Sequence, residues 1–473
     1  MAGGLRGVTE AGAIEPSLQG FLLDWERRHP DDVIRVSREV DPDCLSTAMA
    51  LDLEAQGRAP IIVLDRPAGS DLPLVANVFG SWERLAEVIG TDRAGFNDAW
   101  LAAERAAVPP RMVEAGVCQE VVEIGDEADV TRLPIARHFA GDAGKYVSAG
   151  ILVANDPDTG IRNLSFQRMQ LKGPRKFGVS LHSRGHIWDY QRRAELQGKP
   201  LEVAVVVGAH PTLLMAATAR VGINVDEYTI AGGLLGRPVD LVRAKTIAVD
   251  VPAWAEIVIE GRILPGVREP EGPFGEFPGY STSRSTENVF EVTAVTRRRN
   301  ALFLDLVPGK AADHLVLCRI FREPHLVERL REVVPTVRAV HLPQSGTTFH
   351  AFVSMKKTAE GQPRQLLLML FGLEPNIKLG IVCDEDIDVY DPEQVMWAMA
   401  TRMQADTDTF VVPKVFCNRL DPSSVDGMSA RLGIDATKPL AGWDATELTL
   451  PDAAVATARA LLAGAGANAS RSG

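Results

Sequence analysis

No two of the five cysteines, Cys44, Cys118, Cys318, Cys383 and Cys417, are spaced as a CxxC pair. That excludes a zinc ribbon or a dithiol redox motif. An odd, scattered set is no disulfide framework either, and reads as reduced thiols in a cytoplasmic protein. Positive charge is not in excess. Fifty Lys and Arg against 62 Asp and Glu leave a net charge of −12, which argues against general nucleic-acid binding and favours solubility. Long apolar runs are missing. The longest, VAVVVGAHPTLLMAA from Val203, is interrupted by His210-Pro211 and is too short to span a bilayer. MAGGLRGVTEAGAIEP at the start lacks the apolar core of a signal peptide. No internal repeat is visible, and GGLLG at 232–236 does not fit GxGxxG, so a dinucleotide fingerprint is not supported.

What is present is an ordinary globular composition, 46% apolar and 24% charged, over 473 residues. This suggests two or three domains with sizeable cores. Residues 1–110 alternate helix and strand signals. SLQGFLLDWERR places Leu18, Phe21, Leu22 and Trp25 on one helical face. Asp41-Pro42 is expected to cap and open a second helix, and Ser81 a third. Residues 111–310 are a succession of β-rich runs, which suggests a barrel or closed sheet. After a linker expected at 311–322, an α/β pattern returns over 323–450. Residues 451–473 read as a final helix and a frayed tail, AGAGANASRSG. The fold class expected is mixed α/β: an N-terminal α/β layer, a central split barrel and a C-terminal α/β domain.

Several short stretches carry possible chemistry. In RNLSFQRMQL, read as one strand, Asn163, Ser165 and Gln167 share a face and Leu164, Phe166 and Arg168 the other. An arginine among apolar neighbours wants a carboxylate or phosphate, or else is a rim residue in a surface ion pair. Gly185-His186 opens a helix through Ile187, Trp188 and Tyr190, where the histidine is at least a capping group. VVVGAHPTLL is a strand, a turn and a helix begun by Pro211, whose backbone N–H groups offer an anion site. Asp226 and Glu227 precede a glycine-rich helix, where acids suit the helix dipole.

The stretch EPEGPFGEFPGY, residues 269–280, surrounds a Pro-Phe-Gly turn with Glu269, Glu271 and Glu276 and follows it with apolar rings. Fully extended, Glu271 and Glu276 are separated by up to about 17 Å. The turn at 272–275 folds that distance back, so that both acids can approach Arg168.

The order of these elements resembles the UbiD-type decarboxylases, a family that includes ferulic acid decarboxylase and enzymes acting on phenolic, furan, pyrrole, indole and phenazine carboxylates. The resemblance covers most of the chain from about 110 to 400. It is most specific at Asn163–Arg168, His186, Glu227 and Glu271–Tyr280. It implies prenylated FMN as cofactor, with a divalent metal, usually manganese, and a potassium ion holding its phosphate. The family's metal ligands fall on Asn163, His186 and Glu227. Its potassium contacts fall on Leu164, Ala216, Ala217, Ala219 and Glu227. Its phosphate-binding lysine falls on Lys378, and further cofactor contacts on Ser165, Phe166, Arg168 and Gly185. A mixed oxygen and imidazole set suits a hard cation. The family's Glu–Arg–Glu network falls on Arg168, Glu271 and Glu276.

The implied reaction is reversible, non-oxidative decarboxylation of an aromatic or heteroaromatic acid through a covalent substrate–cofactor adduct, with CO2 released and Glu276 as proton donor. Such a donor needs an apolar setting, expected from Phe274, Phe277 and Tyr280. Ser281, Thr282, Ser283 and Arg284 are expected to tune selectivity. A homodimer or higher homo-oligomer formed through the C-terminal region is implied, as is a flavin prenyltransferase supplying the cofactor. Two departures stand out: AAT at 216–218 replaces serines found in some relatives, and His182 and Arg184 match no family role. The rival readings are a split-barrel FMN oxidoreductase and a non-catalytic flavin-binding subunit.

Overall fold

The computed structural model describes residues 14–181 and 185–469. His182 and Arg184 lie outside the described residues. Four sheets organise the described residues. The strand Leu201–Val207 shows why the central one is strongly apolar. Val203, Val205 and Val207 enter one core while Ala204 and Val206 enter another. Side chains alternate across a strand, and here both faces are covered, so the run has no polar side.

The central sheet has nine strands. Its order along the hydrogen-bonded path is Tyr146–Val147, Met169–Gly173, Lys176–Val179, Ser285–Arg297, Ile257–Glu271, Leu201–Val207, Ile151–Asn155 and Arg162–Phe166, with Val121–Ile124 added on Ser285–Arg297. It curls into a half barrel. This is the split barrel expected, open because Tyr146–Val147 and Arg162–Phe166 end the path unpaired with one another. Asp240–Arg243 and Asp250–Pro252 form a separate small sheet with Arg111–Met112.

The N-terminal sheet runs Val33–Val40, Ile61–Pro67, Leu74–Ala76 and Phe303–Leu304. Its last strand comes from beyond the half barrel, and Leu18, Phe21 and Trp25 share a core with Ile151, Val206 and Leu304. Ser81 caps its helix as expected, its Oγ accepting from Arg84 N. Asp41-Pro42 does not. The second helix begins at Leu45 after Cys44, whose φ is 60°, and the Asp41 carboxylate is turned to Asp43 N instead.

The segment 311–322 is not an open tether. It carries the helix Ala312–Leu317, and Leu315, Val316 and Ile320 are buried. Apolar residues at this spacing give a helix a face to bury, which a solvated linker lacks. Beyond it, a five-stranded sheet runs Val337–His341, His350–Met355, Leu379–Asp384, Met428–Ala436 and Thr409–Phe416, with its own cores. The final helix is Asp452–Ala469. Among the described residues no helix is long and apolar enough to cross a membrane.

Candidate active site

RNLSFQRMQL is two strands, not one. Arg162–Phe166 pairs with Ile151–Asn155, while Met169–Gly173 pairs with Lys176–Val179. The chain changes neighbours at Gln167–Arg168, so the alternation of faces does not carry through to Arg168. The break leaves the arginine outside both strands, and its side chain reaches the end of Ile257–Glu271.

There it meets two acids. Arg168 Nε and Nη2 donate to the two oxygens of Glu271, each at 2.9 Å. Nη1 donates to Glu276 Oε1 at 2.6 Å. Parallel guanidinium–carboxylate bonds are short, directional and strong. Burial alone would make the Arg168 cation costly, but Glu271 and Glu276 outweigh that and hold it protonated. The guanidinium carbon also lies 5.4 Å from the centroid of the Phe274 ring. The third acid is different: Glu269 pairs with Lys176 at 2.9 Å near the surface.

The turn between the acids leaves the strand at Gly272, whose φ of +78° is a left-handed backbone that suits glycine. Phe274 is buried against Tyr146, with ring centroids 4.6 Å apart. Phe277 packs with Leu315 and Phe349. Two apolar rings, one on each side of Glu276 in the chain, are therefore buried here. Tyr280 is not, being 65% exposed; it lies past the turn and its backbone oxygen accepts from Glu276 N instead.

Asn163, His186 and Glu227 converge. Glu227 opens the helix Glu227–Leu235, with Asp226 as its cap, and His186 opens His186–Leu196. Asn163 Nδ2 lies 2.6 Å from Glu227 Oε1 and 3.1 Å from His186 Nδ1. Glu227 Oε2 accepts from Leu164 N at 2.9 Å. Burial pushes the Glu227 carboxyl up to about 8, against the pull of the Leu164 N–H. Asn163 Oδ1 is buried without a partner. Amide oxygen and nitrogen are interchangeable in such a group. Turned over, Asn163 presents its oxygen to a carboxylate oxygen and an imidazole nitrogen, three acceptors that a cation satisfies together. The set thus fits a divalent metal. Among the described residues no group of three or more His, Cys, Asp and Glu does so; this one depends on the asparagine.

Other expected contacts are placed unevenly. Ser165 Oγ accepts from Gln167 Nε2. Phe166 is half-buried against the larger core, and Gly185 precedes the His186 helix in extended backbone. Ala216 and Ala217 are buried at the end of Pro211–Ala216, and the Ala216 carbonyl accepts from Ala219 N. The Pro211 turn offers no anion site: Thr212 N is taken by His210 Nδ1 and Leu213 N by His210 O. Lys378 Nζ sits between Asp421 Oδ2 at 2.9 Å and Ser423 Oγ at 2.5 Å. It lies 5.9 Å from the Phe349 ring centroid.

The sequence reading missed His314 and the segment 138–148. His314 faces the Phe277 ring edge-on at 6.4 Å. Burial would depress its imidazole, but Cys318, four residues on, and the Glu276 carboxylate raise it to about 9. The His/Cys spacing on one helix face was the available signal. Segment 138–148 meets residues 272–282 through Asp142 Oδ1, which accepts from Gly275 N, and through Ala143 N, which donates to Pro273 O; the sequence shows the acid but not the distant N–H it finds.

Residues 26–103, 111–311 and 315–436 match the N-terminal, Rift-related and C-terminal domains of 3-octaprenyl-4-hydroxybenzoate carboxy-lyase, UbiD. The anhydromevalonate phosphate decarboxylase of Methanothermobacter thermautotrophicus is 38% identical over 316 residues, 66% of this chain and 74% of its own. The UbiD-class enzyme HmfF of Pelotomaculum thermopropionicum, solved with FMN, is 41% identical, with a TM-score of 0.88 over 92% of this chain and 97% of its own. An evolved dimeric form of HmfF was solved with prenylated FMN. The vanillic acid decarboxylase of Sedimentibacter hydroxybenzoicus is 30% identical, with a TM-score of 0.82 over 95% of this chain and 99% of its own. Three successive domain matches and a shared mixed helix-and-sheet architecture over nearly the whole chain leave one conclusion: this chain belongs to the UbiD family and is an enzyme of the decarboxylase, carboxy-lyase class.

Proposed function

We propose that the protein reversibly decarboxylates an aromatic or heteroaromatic carboxylic acid, with Glu276 delivering the proton that replaces CO2. The observation that carries this reading is the bond from Arg168 to both Glu271 and Glu276. A substrate carboxylate entering beside two acids is repelled, and the guanidinium offsets that repulsion. The two acids are not equivalent. Glu271 has no exposed side-chain surface and gives both oxygens to Arg168. Glu276 is 12% exposed and engages Arg168 through Oε1 alone, so Oε2 remains to face a substrate carbon. Phe274 and Phe277, the buried rings on either side of it in the chain, suit a planar substrate ring.

Cleaving a carboxylate from an sp2 carbon leaves an electron pair, and prenylated FMN, when bound, supplies the sink for it. Asn163, His186 and Glu227 would hold the manganese that neutralises the cofactor phosphate. The carbonyls of Leu164, Ala216, Ala217 and Ala219, with Glu227, would hold potassium. Ser165, Phe166 and Gly185 would line the cofactor, and Lys378, held by Asp421 and Ser423, would meet the phosphate. The same reading divides the chain at 1–110, 111–310, 311–322, 323–450 and 451–473, and pairs two copies through 323–450. It places the enzyme in the cytoplasm, supplied by a flavin prenyltransferase.

The test is reconstitution with prenylated FMN, manganese and potassium under low oxygen, followed by a screen of indole, pyrrole, furan, phenazine and phenolic acids for CO2 release. Release from one of them is expected. Oxidation of NAD(P)H without CO2 release would make the protein a flavin oxidoreductase. Flavin binding with neither activity would make it an assembly subunit. Turnover confined to an aliphatic alkenoic acid would retain the reaction and overturn the aromatic substrate.

A further inference from the structure

We propose that Asp142 is a positioning residue for Glu276, acting through the backbone of Gly275; the proposal rests on the reading of Glu276 given above. Asp142 is 6% exposed, and its two oxygens serve two different segments. Oδ1 accepts from Gly275 N at 2.9 Å. Oδ2 accepts from Phe139 N at 2.9 Å and His138 N at 3.2 Å. A carboxylate accepts on both oxygens, whereas an asparagine accepts on one. The residue type therefore matches a clamp between two stretches of main chain.

The side of the clamp away from Glu276 is fixed in the core. His138 Nε2 lies 2.8 Å from Asp305 Oδ1, and both side chains are fully buried. Ser148 Oγ donates to the same oxygen at 2.8 Å, and Ser46 Oγ to Asp305 Oδ2 at 3.1 Å. The Phe139 ring fills the space beside Gly275 and Gly309. A Cβ on Gly275 would lie 2.4 Å from the ring, and one on Gly309 2.8 Å from it. Glycine is required at 275 because the ring closes on the backbone there. Ala143 N adds a bond to Pro273 O at 2.8 Å. A chain of contacts thus runs from Asp305 through His138 and Asp142 to Gly275, one residue before Glu276. Apart from it, Thr282 Oγ1 accepts from Phe274 N, Thr282 N donates to Phe274 O, Tyr280 O accepts from Glu276 N, Tyr146 Oη donates to Pro273 O and Arg168 holds the Glu276 side chain, but none of these bonds Gly275 itself.

A displacement of about 1 Å in such a group costs on the order of 10²-fold in rate. In the reconstituted holoenzyme, Asp142→Ala is expected to lower kcat about 10²-fold, with KM and the flavin absorbance spectrum unchanged. Asp142→Asn, which keeps one acceptor, should fall between Asp142→Ala and wild type. Gly275→Ala should reproduce the loss from the other side of the same contact. In cofactor-free protein, Asp142→Ala and Asp142→Asn should speed amide hydrogen exchange in the 272–282 peptide, by mass spectrometry, with exchange in the C-terminal sheet unchanged. If Asp142→Ala does not fold, Asp142→Asn and Gly275→Ala decide. A kcat within twofold of wild type alongside faster exchange would overturn the positioning role, as would unchanged exchange at 272–282. If wild-type protein releases CO2 from no acid, the proposed function falls by itself, and the exchange measurement still decides whether Asp142 holds the turn.

Discussion

Arg168 and Glu271 form a two-bond pair, 2.9 Å on each arm, between residues 103 positions apart. Glu271 is wholly buried and the guanidinium nearly so. The pair is the fixed floor on which Glu276 is set.

Breaking that floor is expected to destabilise the fold as well as stop turnover. Glu271→Gln removes one of two carboxylates from a largely buried guanidinium and should cost less than the roughly 3–5 kcal/mol of an unpaired buried charge, because Glu276 stays bonded to it. Urea denaturation of the cofactor-free protein measures it. Arg168→Lys should recover part of the stability but little activity, because a single ammonium cannot reproduce the fork.

Glu276→Gln should leave the fold and the bound-flavin spectrum intact while abolishing CO2 release and deuterium exchange into product. The glutamine keeps a carbonyl for Arg168 and loses the transferable proton. Full activity in this variant would remove Glu276 from the proton-donor role.

Manganese binding should depend on Asn163 and Glu227. Titrating cofactor-free protein with Mn2+ and following the free-ion EPR signal should show binding in wild type. The affinity should fall at least about tenfold in Asn163→Ala and Glu227→Gln. Equal binding in all three would show that the cation is held elsewhere.

Stability should also carry a pH signature from Asp313. Burial pushes this carboxyl from the ordinary 3.8 up to about 7, although the N–H groups of Phe79 and Val307 favour its ionised form. The folded chain therefore keeps a proton that the unfolded chain releases between those values. Its contribution is full below the unfolded value and declines as pH rises toward about 7. Urea midpoints should drop between pH 4.5 and 7.5 by more in wild type than in Asp313→Asn, which cannot ionise.

Much of the architecture is legible along the chain because its signals are local. The face of Leu18, Phe21, Leu22 and Trp25, the Ser81 cap and the doubly apolar run at 201–207 each specify an element within a few residues. The site was legible where residue type carries it. An arginine, two acids around a turn, and an Asn, His and Glu in order lead to groups that the structure brings into contact.

Other features were hidden because they depend on partners far away in sequence. The break at Gln167–Arg168 follows from a change of strand neighbour. The helix at Ala312–Leu317 is defined by burial against the rest of the fold. Tyr280 matched the apolar pattern and is exposed, since the turn ends before it.

By itself, then, the sequence determined many of the helices and strands and which side chains bring charge, because periodicity and capping act over one or two turns of chain. Only the tertiary structure decided that Glu271 is closed off while Glu276 stays open, and that Asp142 reaches Gly275 across 133 positions. Those choices belong to the order of strands in a curled sheet, and no local pattern encodes which distant backbone N–H a buried carboxylate will find.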